Sequence, residues 1–144
     1  MSEVAVTLVS AAQLSTDKLV TLINQAYSDY FLFISLDQEK FIRMCFEEDI
    51  NLAISVVALV ENRPLGIALL AQRGLRGWIS AVGVVPLWRR KGVARKMLKY
   101  LQMRAREINL TSLTLEVLIQ NHRATTLYES LGFVWQRDLF ILSG

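Results

Sequence analysis

A mixed α/β (α+β) fold is predicted for this 144-residue chain: a mostly antiparallel sheet of about six strands flanked by four helices. Three observations predict it. Short, β-branched apolar runs recur between turn signals, and four segments instead carry an apolar face at helical spacing. Only two prolines and seven glycines interrupt the chain, so the elements are long and the connections short. Their order, β-α-α-β-β-β-α-β-α-β, layers helices on a sheet, and the length suits one domain with a full core, here taken as residues 1–144.

Val4–Val9 reads as a first strand. Ser15 or Thr16 caps a helix running to about Tyr27, with Leu19, Leu22, Ile23 and Ala26 on one face. Asp37 caps a second helix carrying Phe41, Met44 and Cys45 at helical spacing. Leu52–Val60 is a buried strand, Glu61-Asn62-Arg63-Pro64 a turn, and Leu65–Gln72 the returning strand of a hairpin. A turn at Arg73–Gly77 leads to a third strand, Trp78–Val85, ending at Pro86. From Gly92 to Asn109 the period becomes helical, with Val93, Met97, Leu101, Ala105 and Ile108 on one stripe. Leu113–Leu118 is a strand. Asn121 caps a last helix with Ala124, Leu127, Tyr128 and Leu131 on its face, closed by Gly132. Val134–Leu142 is read as the final strand.

The composition excludes several classes. With 53% hydrophobic residues and a net charge of only +3, the chain is not a disordered one. One cysteine, Cys45, and one histidine, His122, exclude an internal disulfide framework and make a metal centre unexpected. The apolar stretches Leu52–Val60 and Pro64–Ala71 fall short of the ~20 residues that span a bilayer. The segment MSEVAVTLVS lacks a basic start and contains Glu3, so no signal peptide and no membrane association are expected, and a cytoplasmic location is. The high apolar content leaves room for a homodimer surface.

The small net charge hides a segregation. Eight of the 16 basic residues lie between Arg89 and Arg106 with no acid among them, and the rest of the chain carries a net of −5. Five cations, Arg89, Arg90, Lys91, Arg95 and Lys96, crowd the start of the helix that Gly92 opens. Cations there oppose the helix dipole, whereas an anion would satisfy the unpaired first amides. The small Gly92 and Ala94 allow a ligand close to the backbone. The stretch is neither a Walker A loop nor Gly-x-Gly-x-x-Gly. The competing reading is a solvated basic helix start whose small residues serve packing.

Arg89-x-x-Gly92-x-Ala94, following a strand and Pro86, resembles the acetyl-CoA pyrophosphate loop of the GCN5-related N-acetyltransferase (GNAT) family. A second signature follows in order: Leu115-Glu116-Val117-x-x-x-Asn121-x-x-Ala124-x-x-Leu127-Tyr128-x-x-x-Gly132-Phe133. The resemblance covers about residues 56–142. Ala94 stands where the family more often has a third glycine. The resemblance implies a GNAT-like sheet that splays open between the strand ending near Val85 and the strand ending near Leu118, with pantetheine in the gap. It implies that the backbone of Val82 and Val84 pairs with pantetheine, an amide near Val84 polarising the thioester carbonyl. It also implies that Arg89, Arg90, Lys91, Gly92, Val93, Ala94 and Arg95 hold the pyrophosphate. Gly83 sits where a bulge could cause the splay.

Amide formation needs a base for the amine and an acid for the departing thiolate. The resemblance makes Tyr128 the acid. By its helix face alone Tyr128 reads as core, and a buried ring with its hydroxyl in the cleft satisfies both readings. Glu116 is the candidate base, being the only charged residue in Ser112–Gln120. It lies twelve residues before Tyr128, as in the bacterial protein N-terminal alanine acetyltransferases of this family. A solvent-facing or Arg-paired glutamate is the alternative. The other branches' base position lies on the preceding strand, which here has no acid or histidine, only Ser80. Asn121 resembles the residue bonding the pantetheine arm, and a plain helix cap is its other reading. Cys45 reads as a small core residue. Glu47-Glu48-Asp49 reads as a solvated helix end or a lure for a cationic amine. Trp78 and Trp88 fit either core or cleft lining.

The implied activity is a cytoplasmic acyltransferase: an N-acetyltransferase moving an acetyl group from acetyl-CoA, as co-substrate and without metal, directly to a primary amine. The acceptor is a peptide N-terminus, a lysine or a small amine; nucleic acid is not an expected partner. Two alternatives stand beside it, a basic nucleic-acid- or lipid-binding module and a non-catalytic acyl-CoA sensor of the same fold. Against the module, the basic segment contains one aromatic, Tyr100, and no recognition motif.

Overall fold

The structure, a computed structural model, describes residues 5–29, 35–116, 122–136 and 139–143. In chain order the elements are β1 (Thr7–Ser10), α1 (Thr16–Ala26), α2 (Gln38–Glu47), β2 (Val56–Val60), β3 (Arg63–Arg73), β4 (Arg76–Val84), α3 (Val93–Glu107), β5 (Ser112–Glu116), α4 (His122–Ser130), β6 (Val134–Gln136) and β7 (Leu139–Ser143). Among the described residues one sheet runs in the order β1-β2-β3-β4-β5-β7-β6. Only the β4–β5 pair is parallel.

The expected fold class holds, and the local chemistry explains most boundaries. Ser15 and Asp37 accept hydrogen bonds from the Lys18 and Lys40 amides at the starts of α1 and α2. The β2–β3 turn is two residues, Glu61 and Asn62, both left-handed (φ 50° and 66°), the turn whose twist suits a tight hairpin. Strand pairing therefore starts at Val60–Arg63, and Pro64 lies inside β3 rather than in the turn. The single last strand expected over Val134–Leu142 is instead a hairpin, β6 paired antiparallel with β7. The polar run Gln136-Arg137-Asp138, between the apolar Val134-Trp135 and Leu139–Leu142, is the sequence mark of the reversal.

Two cores sandwich the sheet. Leu19, Leu22 and Ile23 of α1 and Phe41 of α2 pack on Val57, Ile67 and Leu69. On the opposite face Val93, Met97, Leu98, Leu101 and Ala105 of α3 pack on Val56, Ala58, Ala68, Leu70 and Ile79, with Leu127 and Tyr128 of α4 beside them. Alternate residues of β2 thus serve opposite helices, which is why this strand is apolar throughout.

Among the described residues the sheet opens partway along β4. Parallel pairing with β5 runs from Arg76–Ser112 to Ile79–Leu115. At the next residue the β3–β4 register shifts: Leu70 pairs with Ile79 and Leu69 with Ala81, so Ser80 is a bulge. The bulge reverses the strand's alternation. Ile79 shares its core with Val82 and Val84, while Ala81 faces the α1 side. Beyond it, among the described residues, β4 is paired with β3 alone.

The bulge is therefore at Ser80, not at Gly83, which pairs regularly with Ile67. Gly83 is required for a different reason. A Cβ there would lie 2.9 Å from Tyr27 Cε2 and 3.0 Å from Ala26 Cβ. The end of α1 rests directly on this backbone. Because the Tyr27 ring is held by its own hydroxyl, Gly83→Ala is expected to destabilise the protein by about 1–3 kcal/mol, as overpacking does. A melting temperature equal to wild type would show that α1 gives way instead.

Candidate functional site

The opening beside β4 has a definite polarity. Val85 N–H donates to the Leu65 carbonyl at 2.9 Å, so Val85, Gly83 and Ala81 direct their backbone groups at β3. By alternation Val82 and Val84 direct theirs into the opening. Both of these carbonyls already accept hydrogen bonds. Tyr27 Oη donates to Val82 O at 2.9 Å and Arg89 Nε donates to Val84 O at 3.0 Å. The N–H groups of Val82 and Val84 are what this edge offers to a ligand.

Past Val84 the chain makes a 3₁₀ turn at Pro86–Trp88 and enters the basic loop. Arg90 and Gly92 both take left-handed backbone, φ 64° and 82°, and α3 begins at Val93. No side chain caps this helix start. A Cβ on Gly92 would meet nothing within 4 Å, so glycine is needed for the turn and the space above it is open. Val93 is buried and Ala94 half-buried, while Arg90, Lys91, Arg95 and Lys96 are exposed around the free amides.

Two of the expected phosphate ligands have their side chains engaged elsewhere. Arg89 forks onto Asp29, Nη1 to Oδ2 at 2.5 Å and Nη2 to Oδ1 at 2.9 Å, and Nη2 also donates to Ala26 O at 2.8 Å. Its guanidinium ties the loop to the end of α1, leaving its backbone for the site. Arg95 Nη2 donates to Ser130 Oγ at 2.9 Å, which in turn donates to Leu127 O at 2.7 Å. The Arg95 head thus lies at the end of α4. The Arg89 hydrogen bonds hold the Asp29 carboxyl below its ordinary value.

Tyr128 is half-buried on α4, packed against the α3 core with its ring edge-on to Phe133 (centroids 6.1 Å, 64° between planes). Its core role is a fact of the packing. Glu116 is the last residue of β5, opposite Leu139. The Glu116 side chain and all of Asn121 lie outside the described residues, so the structure groups the loop residues with β4 but does not pair Glu116 with Tyr128.

Tyr27 and Asp29 carried no signal strong enough to single them out. They follow the apolar face of α1 and look like a helix end in sequence. Glu48, at the end of α2, accepts a hydrogen bond from Ser80 Oγ at 2.9 Å, which places an acid beside the bulge. Nothing in a sequence pairs a helix end with a bulge that periodicity does not reveal. Cys45 is half-buried, and burial pushes its thiol up, with the charge of Glu48 adding to this. Trp88 borders a groove of about 1000 Å³ between α1, the β2–β3 turn and the 3₁₀ turn. Trp78 lies under the Arg73 guanidinium, 5.9 Å from its ring. Among the described residues no group of His, Cys, Asp or Glu could hold a metal ion, and no helix is long and apolar enough to cross a membrane.

The family described as acetyltransferase (GNAT) matches residues 18–133. No curated protein matches the chain in sequence. Among solved structures, the ribosomal-protein-S18-alanine N-acetyltransferase from Escherichia coli superposes with a TM-score of 0.77 at 19% identity, covering 95% of this chain and 91% of that one. A GNAT family acetyltransferase from Brucella melitensis, in complex with acetyl-CoA, gives 0.75 at 14% identity over 98% and 89%. The PaiA N-acetyltransferase from Thermoplasma acidophilum, in complex with coenzyme A, gives 0.70 at 16% identity over 95% and 96%. At these identities the likeness is one of fold.

The Asp29–Arg89 pair has a testable pH signature. A carboxyl held below its unfolded value of about 3.9 stabilises the fold above that pH and loses the contribution as pH falls through and below it. Wild type should therefore melt above Asp29→Asn at pH 6, with the gap closing below about pH 4. A gap that persists unchanged at low pH would mean that the carboxylate charge is not what holds Arg89.

Proposed function

The chain belongs to the acetyltransferase (GNAT) family, and from that premise we propose that it is an acetyl-CoA-dependent N-acetyltransferase, a single cytoplasmic domain acting on a primary amine by direct transfer. One observation carries the reading. β4, whose described pairing with β5 ends at a bulge, leads through a 3₁₀ turn and a basic loop into an uncapped, cation-ringed helix start. The strand supplies amides to a pantetheine chain and the helix start supplies amides to a pyrophosphate. Residues 89–95 fit that group: the backbone is left-handed at Arg90 and Gly92, open above Gly92, and free of any competing side-chain cap.

Bound acetyl-CoA supplies the activated acetyl thioester. In this reading the amides of Val82 and Val84 align the pantetheine and draw electron density from the thioester oxygen. The amides from Arg89 to Ala94 and the exposed heads of Arg90 and Lys91 hold the phosphates. Arg95 contributes from its place beside Ser130, and Asn121 would bond the pantetheine arm. The amine nitrogen attacks the acetyl carbon, the C–N bond forms and the C–S bond breaks. Glu116 takes the proton that the amine loses, and Tyr128 gives its hydroxyl proton to the departing thiolate. The acid at Glu48, beside the bulge, favours a cationic acceptor approaching from the α1–α2 side. A peptide N-terminus is the first acceptor to test, because the similar Escherichia coli enzyme is named for an alanine of ribosomal protein S18; lysine and small amines complete the panel.

Acetyl-CoA at a hundred times its Kd should stabilise the protein by about 2.7 kcal/mol, read as a rise in Tm. No shift at millimolar cofactor overturns the assignment. Tyr128→Phe should lower kcat by roughly a hundredfold, the lower range for general acid catalysis, while the acetyl-CoA shift persists. Unchanged turnover would remove Tyr128 from that role.

A further inference from the structure

The last turn of α1 reaches the opening twice. Tyr27 ends that helix, and its ring crosses the Gly83 backbone so closely that no side chain fits there. Its hydroxyl thereby arrives at the far edge of β4 and donates to Val82 O. Two residues on, Asp29 grips Arg89, which Ala26 O also holds, and Arg89 Nε donates to Val84 O. Tyr27 thus reaches the Val82 carbonyl directly, and Ala26 and Asp29 reach the Val84 carbonyl through Arg89.

The chemistry of that edge gives the contacts meaning. A free strand edge presents carbonyls as well as amides. Carbonyl oxygens directed into the opening would repel the negative charge that grows on a thioester oxygen during attack by an amine. Donors fixed in place before the reaction do the opposite. Here both adverse carbonyls are given donors, one hydroxyl and one guanidinium, while the neighbouring N–H groups stay directed into the opening.

We infer that Tyr27 and Arg89 are electrostatic positioning residues for acyl transfer: they quench the two cleft-facing carbonyls of β4, at Val82 and Val84, so that this edge acts on the reacting thioester as a row of donors only. Asp29 and Gly83 are the supports that make this geometry possible. The inference rests on the acetyltransferase reading. It assigns to the end of α1 a part in rate rather than in cofactor affinity, because the amides that would bind pantetheine are not the groups that Tyr27 touches.

Tyr27→Phe is the discriminating variant, since it keeps the ring over Gly83 and removes only the O–H. It is to be compared with wild type for kcat on a peptide acceptor and for acetyl-CoA Kd by calorimetry. The expected result is a fall in kcat of about tenfold, less than the ~10²–10³ lost with a direct oxyanion donor, with Kd within about threefold of wild type. Asp29→Asn, which loosens Arg89, should shift kcat in the same direction, and it serves as the test if Tyr27→Phe does not fold. Unchanged kcat in the folded variant overturns the inference, as does a loss of kcat matched by an equal loss of cofactor affinity. Turnover by wild type separates the two levels: its absence overturns the acetyltransferase reading and this inference together, whereas an active wild type with an equally active Tyr27→Phe overturns this inference alone.

Discussion

The pairing of β4 with β5 ends at Ile79 and Leu115, and the bulge at Ser80 follows at once. A strand has period two, so one inserted residue exchanges its faces. Before the bulge the strand is an ordinary interior member of the sheet. After it, Val82 and Val84 anchor the strand to the α3 core, and Gly83 meets α1 on the other side. The backbone groups of Val82 and Val84 then have no neighbouring strand among the described residues. The exchange of faces comes from a change of register, with no loss of packing on either face.

The distribution of charge follows the same division. The helix that starts after β4 is ringed by cations at the end where cations are least favourable for the helix itself. One of them, Arg89, is neutralised within the fold by Asp29. Arg104 is paired with Glu107 at the opposite end of α3. The exposed group of Arg90, Lys91 and Lys96 around the free amides is what remains for a ligand. A net charge of +3 says nothing of this arrangement.

What could be read from the residues alone depended on how local the cause was. α3 was legible because its stripe and its opening glycine lie within one continuous segment, and the motif from Arg89 to Ala94 sits where that segment meets a strand. The caps Ser15 and Asp37 were legible because each serves amides three residues ahead. Gly83 was visible as unusual, but its partner is Tyr27, far away in sequence, so its purpose was misassigned to a bulge. Ser80 carries no mark of the bulge, since any small polar residue fits there. The β6–β7 reversal is marked in the sequence only by the polar Gln136-Arg137-Asp138, with no glycine or proline to signal a turn. The packing of Tyr128 is what its helix face foretold, and the pairing proposed for it with Glu116 rests on motif and spacing.

The sheet also divides by how far its partners lie along the chain. β2, β3 and β4 are joined by tight turns, so their pairings close small loops. β5, β7 and β6 form a second group, joined to the first within the described sheet by the short parallel ladder from Arg76 to Ile79, with Thr111 bonded to Leu75 O at its foot. Parallel contacts across a whole helix close a much longer loop than the tight turns of β2, β3 and β4 do. The opening therefore lies on the seam between two units of different cooperativity. Anything that bridges it adds long-range contacts where the chain itself has few, and so couples the local unfolding of one half to that of the other.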